Sequence, residues 1–236
     1  MKVLAAPICF NELKAIGQVV DRFPDGVVDK ILVVDDGSDD GSAELVEGKG
    51  IEVLRMGERQ GVGAAIRAVI RHAVAEGFDI IVILAGNDKD RPAEIPQLVA
   101  PIVEHGFDFV QGSRYQKGGE HGNMPLYRRL ATGFIHPLLF SVVSGKRITD
   151  STNGFRAIRL TCFEDERINM DQEWLNRYEL EPYLFFKFIR LGYKVKEVAV
   201  SKIYPSREVA YTKMKPITGW WSILRPIVLL GLRIKK

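Results

Sequence analysis

The chain has 236 residues, 46% of them hydrophobic and 27% charged, with a formal net charge of +3. Such a length and apolar content suit one sizeable core, with a short appendage at most, and exclude a mainly disordered chain. A net charge of +3 is too small to argue for nucleic acid, so none is expected as a partner.

Residues 3–10 form a short apolar run that predicts a first strand; with one preceding Lys and a stop near Pro7, it does not read as a signal peptide. Leu13, Ile16, Val20 and Phe23 follow at helical spacing. Residues 31–34 predict a second buried strand, ended by Asp35-Asp36-Gly37-Ser38. Residues 51–56 predict a third, after which Gly61-Val62-Gly63 opens a helix over 64–75. Residues 79–84 predict a fourth, ended by Gly86-Asn87-Asp88-Lys89-Asp90, with a helix after Pro92. Residues 107–111 predict a fifth, ended by Gly112-Ser113-Arg114. A Gly-rich loop then covers 117–122, an amphipathic helix 127–143, a further apolar helix 181–191 and a strand 195–200. Continuous apolar runs alternating with amphipathic helices imply an α/β fold, its mostly parallel sheet covered by helices on both faces. Ligands bind such sheets at the carboxyl ends of the strands, where the polar clusters stand.

The two cysteines, Cys9 and Cys162, lack metal-ligand spacing and read as free thiols of a reducing compartment. No uninterrupted apolar stretch has the length that crosses a bilayer.

Ser38, Asp39, Gly41 and Ser42 are turn and N-cap residues and need no function. Two further carboxylates at a strand's buried edge do need one, and Asp36 is expected to accept hydrogen bonds from a nucleobase or ribose. Gly61-Val62-Gly63 follows the third strand and not the first, which disfavours a dehydrogenase and favours tight packing. Asn87, Asp88 and Asp90 read either as a polar turn before the Pro92 helix or as ligands of Mg²⁺ or Mn²⁺. A hard cation held with phosphate oxygens would reconcile acidic groups with a phosphate site. Arg114, Arg128, Arg129, Arg207 and Lys213 are singly surface charges by default; together they would balance a diphosphate and a second anion.

Pro7-Ile8-Cys9-Phe10-Asn11-Glu12 resembles the opening motif of family-two glycosyltransferases, which have the GT-A fold. Val33-Val34-Asp35-Asp36-Gly37-Ser38 and Gly61-Val62-Gly63-Ala64-Ala65 are similar to that family's second- and third-strand motifs. Gly112-Ser113-Arg114-Tyr115, the run from Asp150 to Arg156, and Arg207 with Thr212-Lys213-Met214 resemble its dolichyl-phosphate mannose synthase branch. The resemblance implies a GT-A domain over 1–214 that transfers a sugar from a nucleotide diphosphate sugar, with inversion, to an acceptor such as a polyprenyl phosphate. It assigns Pro7, Phe10, Glu12 and Asp36 to the base and ribose. It assigns Arg207 and Lys213 to the donor diphosphate, and Arg114 with Arg128 or Arg129 to the acceptor phosphate. Asp150 would be the base were the acceptor a glycan hydroxyl. The family's D-x-D falls on Ala85-Gly86-Asn87, so the expected carboxylates have moved to Asp88 and Asp90 or gone. That departure keeps open a catalytically weak, nucleotide-sugar-binding regulator.

Residues 215–236 hold Trp220-Trp221, an Arg225-Pro226 break and flanking basic residues. They are expected to lie in a membrane interface, placing the chain peripherally on the cytoplasmic face. The competing readings of this tail are packing on the chain's own core and a homodimer contact.

Overall fold

The computed structural model describes residues 1–204 and 218–235. Arg207, Thr212, Lys213 and Met214 lie outside the described residues, as do the side chains of 218–220.

Seven strands form one sheet among the described residues. They are β1 (Val3–Cys9), β2 (Lys30–Asp35), β3 (Glu52–Arg55), β4 (Ile80–Ala85), β5 (Phe109–Ser113), β6 (Arg156–Arg159) and β7 (Val195–Ala199), in the order β3-β2-β1-β4-β6-β5-β7. All neighbouring pairs are parallel except those of β6, which runs antiparallel to both β4 and β5. The expected α/β architecture is thus present, and β6 is the strand the apolar pattern missed. It has four residues with an arginine at each end, so its two apolar positions make no detectable run.

Successive side chains of the central strands enter opposite cores, as the strand period of two requires. Leu4 and Ala6 of β1 pack on one face with Ile81 and Ile83 of β4. Val3 and Ala5 pack on the other with Ile80, Val82 and Leu84. Helices α1 (Leu13–Asp21) and α4 (Ile95–His105) cover the second face; α3 (Val62–Ala75), α6 (His136–Ser144) and α7 (Leu180–Arg190) cover the first. The short α2 (Ser42–Glu47) follows β2.

Gly61 and Gly63 pack rather than bind. A Cβ on Gly63 would stand 2.0 Å from the Leu175 carbonyl oxygen, and one on Gly61 2.4 Å from that of Asn176. The Ala64 amide donates to the Asn176 carbonyl at 3.1 Å, so α3 starts directly against this segment.

The helix expected over 127–143 is built in three parts: α5 (Leu126–Leu130), a π-helical turn (Ala131–Ile135) and α6. The ring of Tyr115 stands against Gly133, where a Cβ would come within 2.8 Å. The terminal helix α8 (Thr218–Gly231) buries Ile227 and Leu230 in the same core as α6 and α7. That part of the tail is packed on the chain's own core. Trp221 on the same helix is 56% exposed.

Candidate active site

β1, β2, β3, β4, β5 and β7 all end at one edge of the sheet, and antiparallel β6 begins there. Topology therefore gathers Phe10–Glu12, Asp35–Asp36, 87–90, Arg114, the 150–153 turn and 202–204 around one rim. Paired backbone carries this through: Cys9 sits beside Asp35, Ile8 beside Ala85, and the Gly86 amide donates to the Ile8 carbonyl at 2.8 Å.

At the β1 end, Pro7 is buried and Phe10 half-buried, with the Arg59 guanidinium 4.0 Å above the Phe10 ring. Asn11 adopts φ 52, a conformation asparagine tolerates, which turns the chain into α1 behind Glu12. The Asn11 and Glu12 amides donate to the Ser38 and Ser42 hydroxyls, locking this loop onto the one after β2.

Asp36 is 3% exposed, and its carboxylate accepts from the Gln60 amide at 2.8 Å and the Gly61 amide at 3.0 Å. Burial raises its pKa, against the lowering effect of those amides and of Arg59. Asp36 thus fastens the β2 end to the loop before α3. Its neighbour Asp35 accepts from the Ser38 amide through Oδ2, while its buried Oδ1 has no hydrogen-bond partner among the described residues. Sequence reasoning ranked Asp36 above Asp35; an unsatisfied buried oxygen is the signal that only the fold supplies.

The β5 end and the 150–153 turn form one buried unit. Arg114 donates to Asp150 through Nε at 2.6 Å and Nη2 at 2.8 Å, and Nη2 also reaches the Thr152 hydroxyl at 2.7 Å. Burial would raise the Asp150 pKa, but Arg114 prevails and holds the carboxyl below its usual range. Both oxygens of Asp150 are engaged, which leaves it poorly placed to act as a base. Glu197 of β7 accepts the Thr149 and Asp150 amides at 2.8 Å and fixes the turn from behind.

Tyr204 stands at the centre of a cationic group that the sequence did not single out. Its hydroxyl lies 3.4 Å from Arg114 Nη1, and its ring lies under two cations, Lys89 Nζ at 5.2 Å and the Arg128 guanidinium at 5.5 Å. Arg128 is half-buried and Arg129 exposed, as consecutive residues of a helix point about 100° apart. Lys89 is 8% exposed; burial, then Lys202 and Arg128, lower its pKa to about 8.

Asn87, Asp88 and Asp90 fit a divalent cation poorly. Such an ion takes several oxygens that converge and carry charge. Asp88 has φ 57 and pairs with Arg22 at the end of α1. Asp90 is 1% exposed; Oδ2 accepts the Ala85 amide at 3.0 Å and Oδ1 binds the Lys202 ammonium at 2.6 Å. Asn87 Oδ1 is buried without a hydrogen-bond partner among the described residues, and it is an uncharged donor. No group of three or more His, Cys, Asp and Glu able to hold a metal occurs among the described residues.

The sequence of residues 8–181 matches the family model described as glycosyl transferase family 2. The chain belongs to that family. It is a glycosyltransferase with the GT-A fold, as its motifs led one to expect. It is 32% identical to the dolichyl-phosphate hexose transferase of Haloferax volcanii, over 93% of this chain and 89% of that one. It is 28% identical to the undecaprenyl-phosphate mannosyltransferase of Micrococcus luteus, over 91% and 88%. Among solved structures it resembles glucosyl-3-phosphoglycerate synthase of Mycobacterium tuberculosis, at a TM-score of 0.67 and 20% identity, over 98% of this chain and 79% of that one. That synthase was solved with UDP and either Mn²⁺ or Mg²⁺.

The helical stretch that brings Arg128 to the rim of this glycosyltransferase also carries a run of exposed apolar side chains. Leu126, Leu130, Phe134, Leu138 and Val142 form one row, with Tyr127, Ile135 and Leu139 beside it, and Val142 is 75% exposed. A spacing of four drifts by about 40° per turn on a regular α-helix. The wider π turn in the middle offsets part of that drift.

Proposed function

We propose that the chain transfers a sugar from a nucleoside diphosphate sugar to a polyprenyl phosphate at a membrane surface. The observation that carries this reading is the union, on residues 126–144, of a rim arginine and an unpartnered apolar row. An acceptor with an anionic head and a long apolar tail is complementary to both at once. The names of the H. volcanii and M. luteus relatives point to acceptors of this kind.

In this reading Pro7, Phe10 and Glu12 form the base and ribose end of the donor site, with Asp36 supporting it through the 60–61 loop and Asp35 offering the remaining oxygen. Arg207 and Lys213 are assigned to the donor diphosphate by resemblance alone. Arg128 binds the acceptor phosphate, and Arg114 is held ready beside it by Asp150. An acceptor phosphate oxygen attacks the anomeric carbon, the bond from that carbon to the diphosphate breaks, and the configuration inverts. A phosphate monoester, with a second pKa of about 6, is already largely ionised and needs no base. That suits a site whose Asp150 is engaged by Arg114. Support for the divalent cation expected from the sequence comes from the solved neighbours of this fold, which hold Mn²⁺ or Mg²⁺ with UDP.

Transfer of labelled sugar from a panel of nucleotide sugars to a short-chain polyprenyl phosphate in vesicles tests the reading. Arg128→Ala is expected to lower transfer by about tenfold or more, since charge-assisted phosphate contacts are among the strong ones. Arg129→Ala should cost much less. Transfer to a glycan hydroxyl, with the lipid phosphate ignored, would overturn the acceptor assignment.

A further inference from the structure

We propose that Tyr115 is a positioning residue whose hydroxyl clasps both ends of α5 and so aims Arg128 at the acceptor phosphate. The inference rests on the transferase reading above and adds to it what holds the phosphate-binding arginine in place.

α5 has little of its own to hold it. Its five residues, Leu126–Leu130, include no buried side chain. A helix this short is not stable by itself, and packing of an apolar face is what normally fixes one. The buried side chains nearest to it lie just outside, Met124 before it at 8% exposure and Thr132 after it at 4%. Both meet the Tyr115 hydroxyl. Tyr115 Oη stands 2.7 Å from Thr132 Oγ1 and 3.7 Å from Met124 Sδ, and Thr132 Oγ1 stands 3.6 Å from that sulfur.

The direction of these bonds follows from the hydrogens present. The Thr132 hydroxyl reaches the Arg128 carbonyl at 2.8 Å, four residues back along the helix. A hydroxyl has one hydrogen to give, and a carbonyl oxygen is a far better acceptor than a thioether sulfur. Thr132 therefore donates to Arg128, and its oxygen accepts the Tyr115 proton. The chain of bonds runs from Tyr115 through Thr132 to the main chain of Arg128 itself.

Tyr115 is firmly placed at its own end. It follows β5 directly, where the buried Ser113 hydroxyl accepts the Tyr115 and Gln116 amides at 3.1 and 3.2 Å. Its ring lies against Gly133 of the π turn, and the Arg114 guanidinium lies 5.6 Å from the ring centroid. One side chain thus touches both the arginine fixed on Asp150 and the helical stretch that carries Arg128. Loss of the hydroxyl alone leaves the ring over Gly133 and the Arg114–Asp150 pair in place, and loosens α5.

The test is steady-state transfer to a short-chain polyprenyl phosphate in vesicles, from the nucleotide sugar that the wild type uses. Tyr115→Phe is expected to raise the KM for the lipid phosphate by about threefold to tenfold, the worth of one hydrogen bond, with kcat and the donor KM within about twofold. Thr132→Val should do the same, and the two together no more than either alone. Thr132→Ser, which keeps the hydroxyl, should behave like the wild type. In an Arg128→Ala background Tyr115→Phe should have no further effect on the lipid phosphate KM. An unchanged KM in Tyr115→Phe, or an equal loss with and without Arg128, would overturn the proposal. Should Tyr115→Phe fail to fold, Thr132→Val removes the same bond and carries the same expectations. If Arg128→Ala alone leaves the lipid phosphate KM unchanged, the acceptor reading falls and the proposal with it; if only Tyr115→Phe does so, the clasp fails and that reading stands. Hydrogen exchange of the amides of residues 126–131 judges the clasp without substrate: it should quicken by about threefold or more in Tyr115→Phe, and equal protection in the two proteins would refute it.

Discussion

Arg114 and Asp150 are a buried pair, at 4% and 0% exposure, and the carboxylate also accepts the Arg114 and Thr152 amides. Removing one partner of such a pair leaves an unmatched charge out of water, which is far costlier than losing a surface ion pair. Asp150→Asn is expected to destabilise the fold by about 3–5 kcal/mol. Replacing both partners with apolar residues should cost less than that single change. Urea denaturation of the three proteins checks this, and a neutral Asp150→Asn would defeat it. The sequence offered Asp150 as the base for a hydroxyl acceptor because a carboxylate's partners are not visible until the fold is known. Asp35 and Asp36 make the same point: adjacent and chemically identical, they differ only in which loop amides reach them. Lys89 lay in plain view within Asn87-Asp88-Lys89-Asp90, but its neighbours Arg128 and Tyr204 are 39 and 115 positions away.

β1, β2 and β4 were legible because buried parallel strands leave continuous apolar runs, whereas the partly buried edge strands β3 and β7 showed only shorter, interrupted ones. β6 and the π turn were not legible, one being too short and arginine-bounded, the other differing from α-helix only in hydrogen bonding. A less visible tie joins α6 to α8. His136, at the start of α6, is 1% exposed; Nε2 donates to the Ile223 carbonyl at 3.2 Å, so Nδ1 accepts from the Ser151 hydroxyl at 2.7 Å. Burial, outweighing Ile223 and Asp150, pushes its pKa down to about 4. The unfolded chain has an ordinary histidine with a pKa of about 6.5. Between those values the unfolded state binds the extra proton, so this contribution to stability is complete above about pH 6.5 and declines as pH falls toward 4. The full loss is about 3 kcal/mol, and about 2 kcal/mol of it should appear by pH 5. Stability of His136→Asn should be lower at pH 7 but flatter with pH. Parallel profiles for the two proteins from pH 7 to 5 would refute the assignment.

On the scale of the whole molecule, the rim and the apolar row of residues 126–144 belong to one continuous feature, and the terminal helix supports it from behind. Among the described residues no helix is long and apolar enough to cross a membrane. The sequence placed contact with a bilayer in the tail, on Trp220-Trp221 and the basic residues after them. An exposed row also lies on residues 126–144, whereas α8 commits Ile227 and Leu230 to the core and leaves Trp221 and Val228 exposed. Burying a Phe or Leu side chain is worth about 1.5–3 kcal/mol each, so two such residues carry much of a peripheral attachment. Leu130→Glu with Phe134→Glu is expected to reduce flotation with anionic liposomes by about tenfold or more, through lost burial and added repulsion. Both positions are exposed, so thermal stability should hardly change, which separates attachment from folding. Deleting residues 218–236 is the contrasting experiment: it strips cover from α6 and α7 and should lower stability before it reads out on membranes. The double variant floating like the wild type would remove the row from the membrane. If wild-type protein instead runs as a dimer that the same double variant dissolves, the row is a contact between copies of this chain.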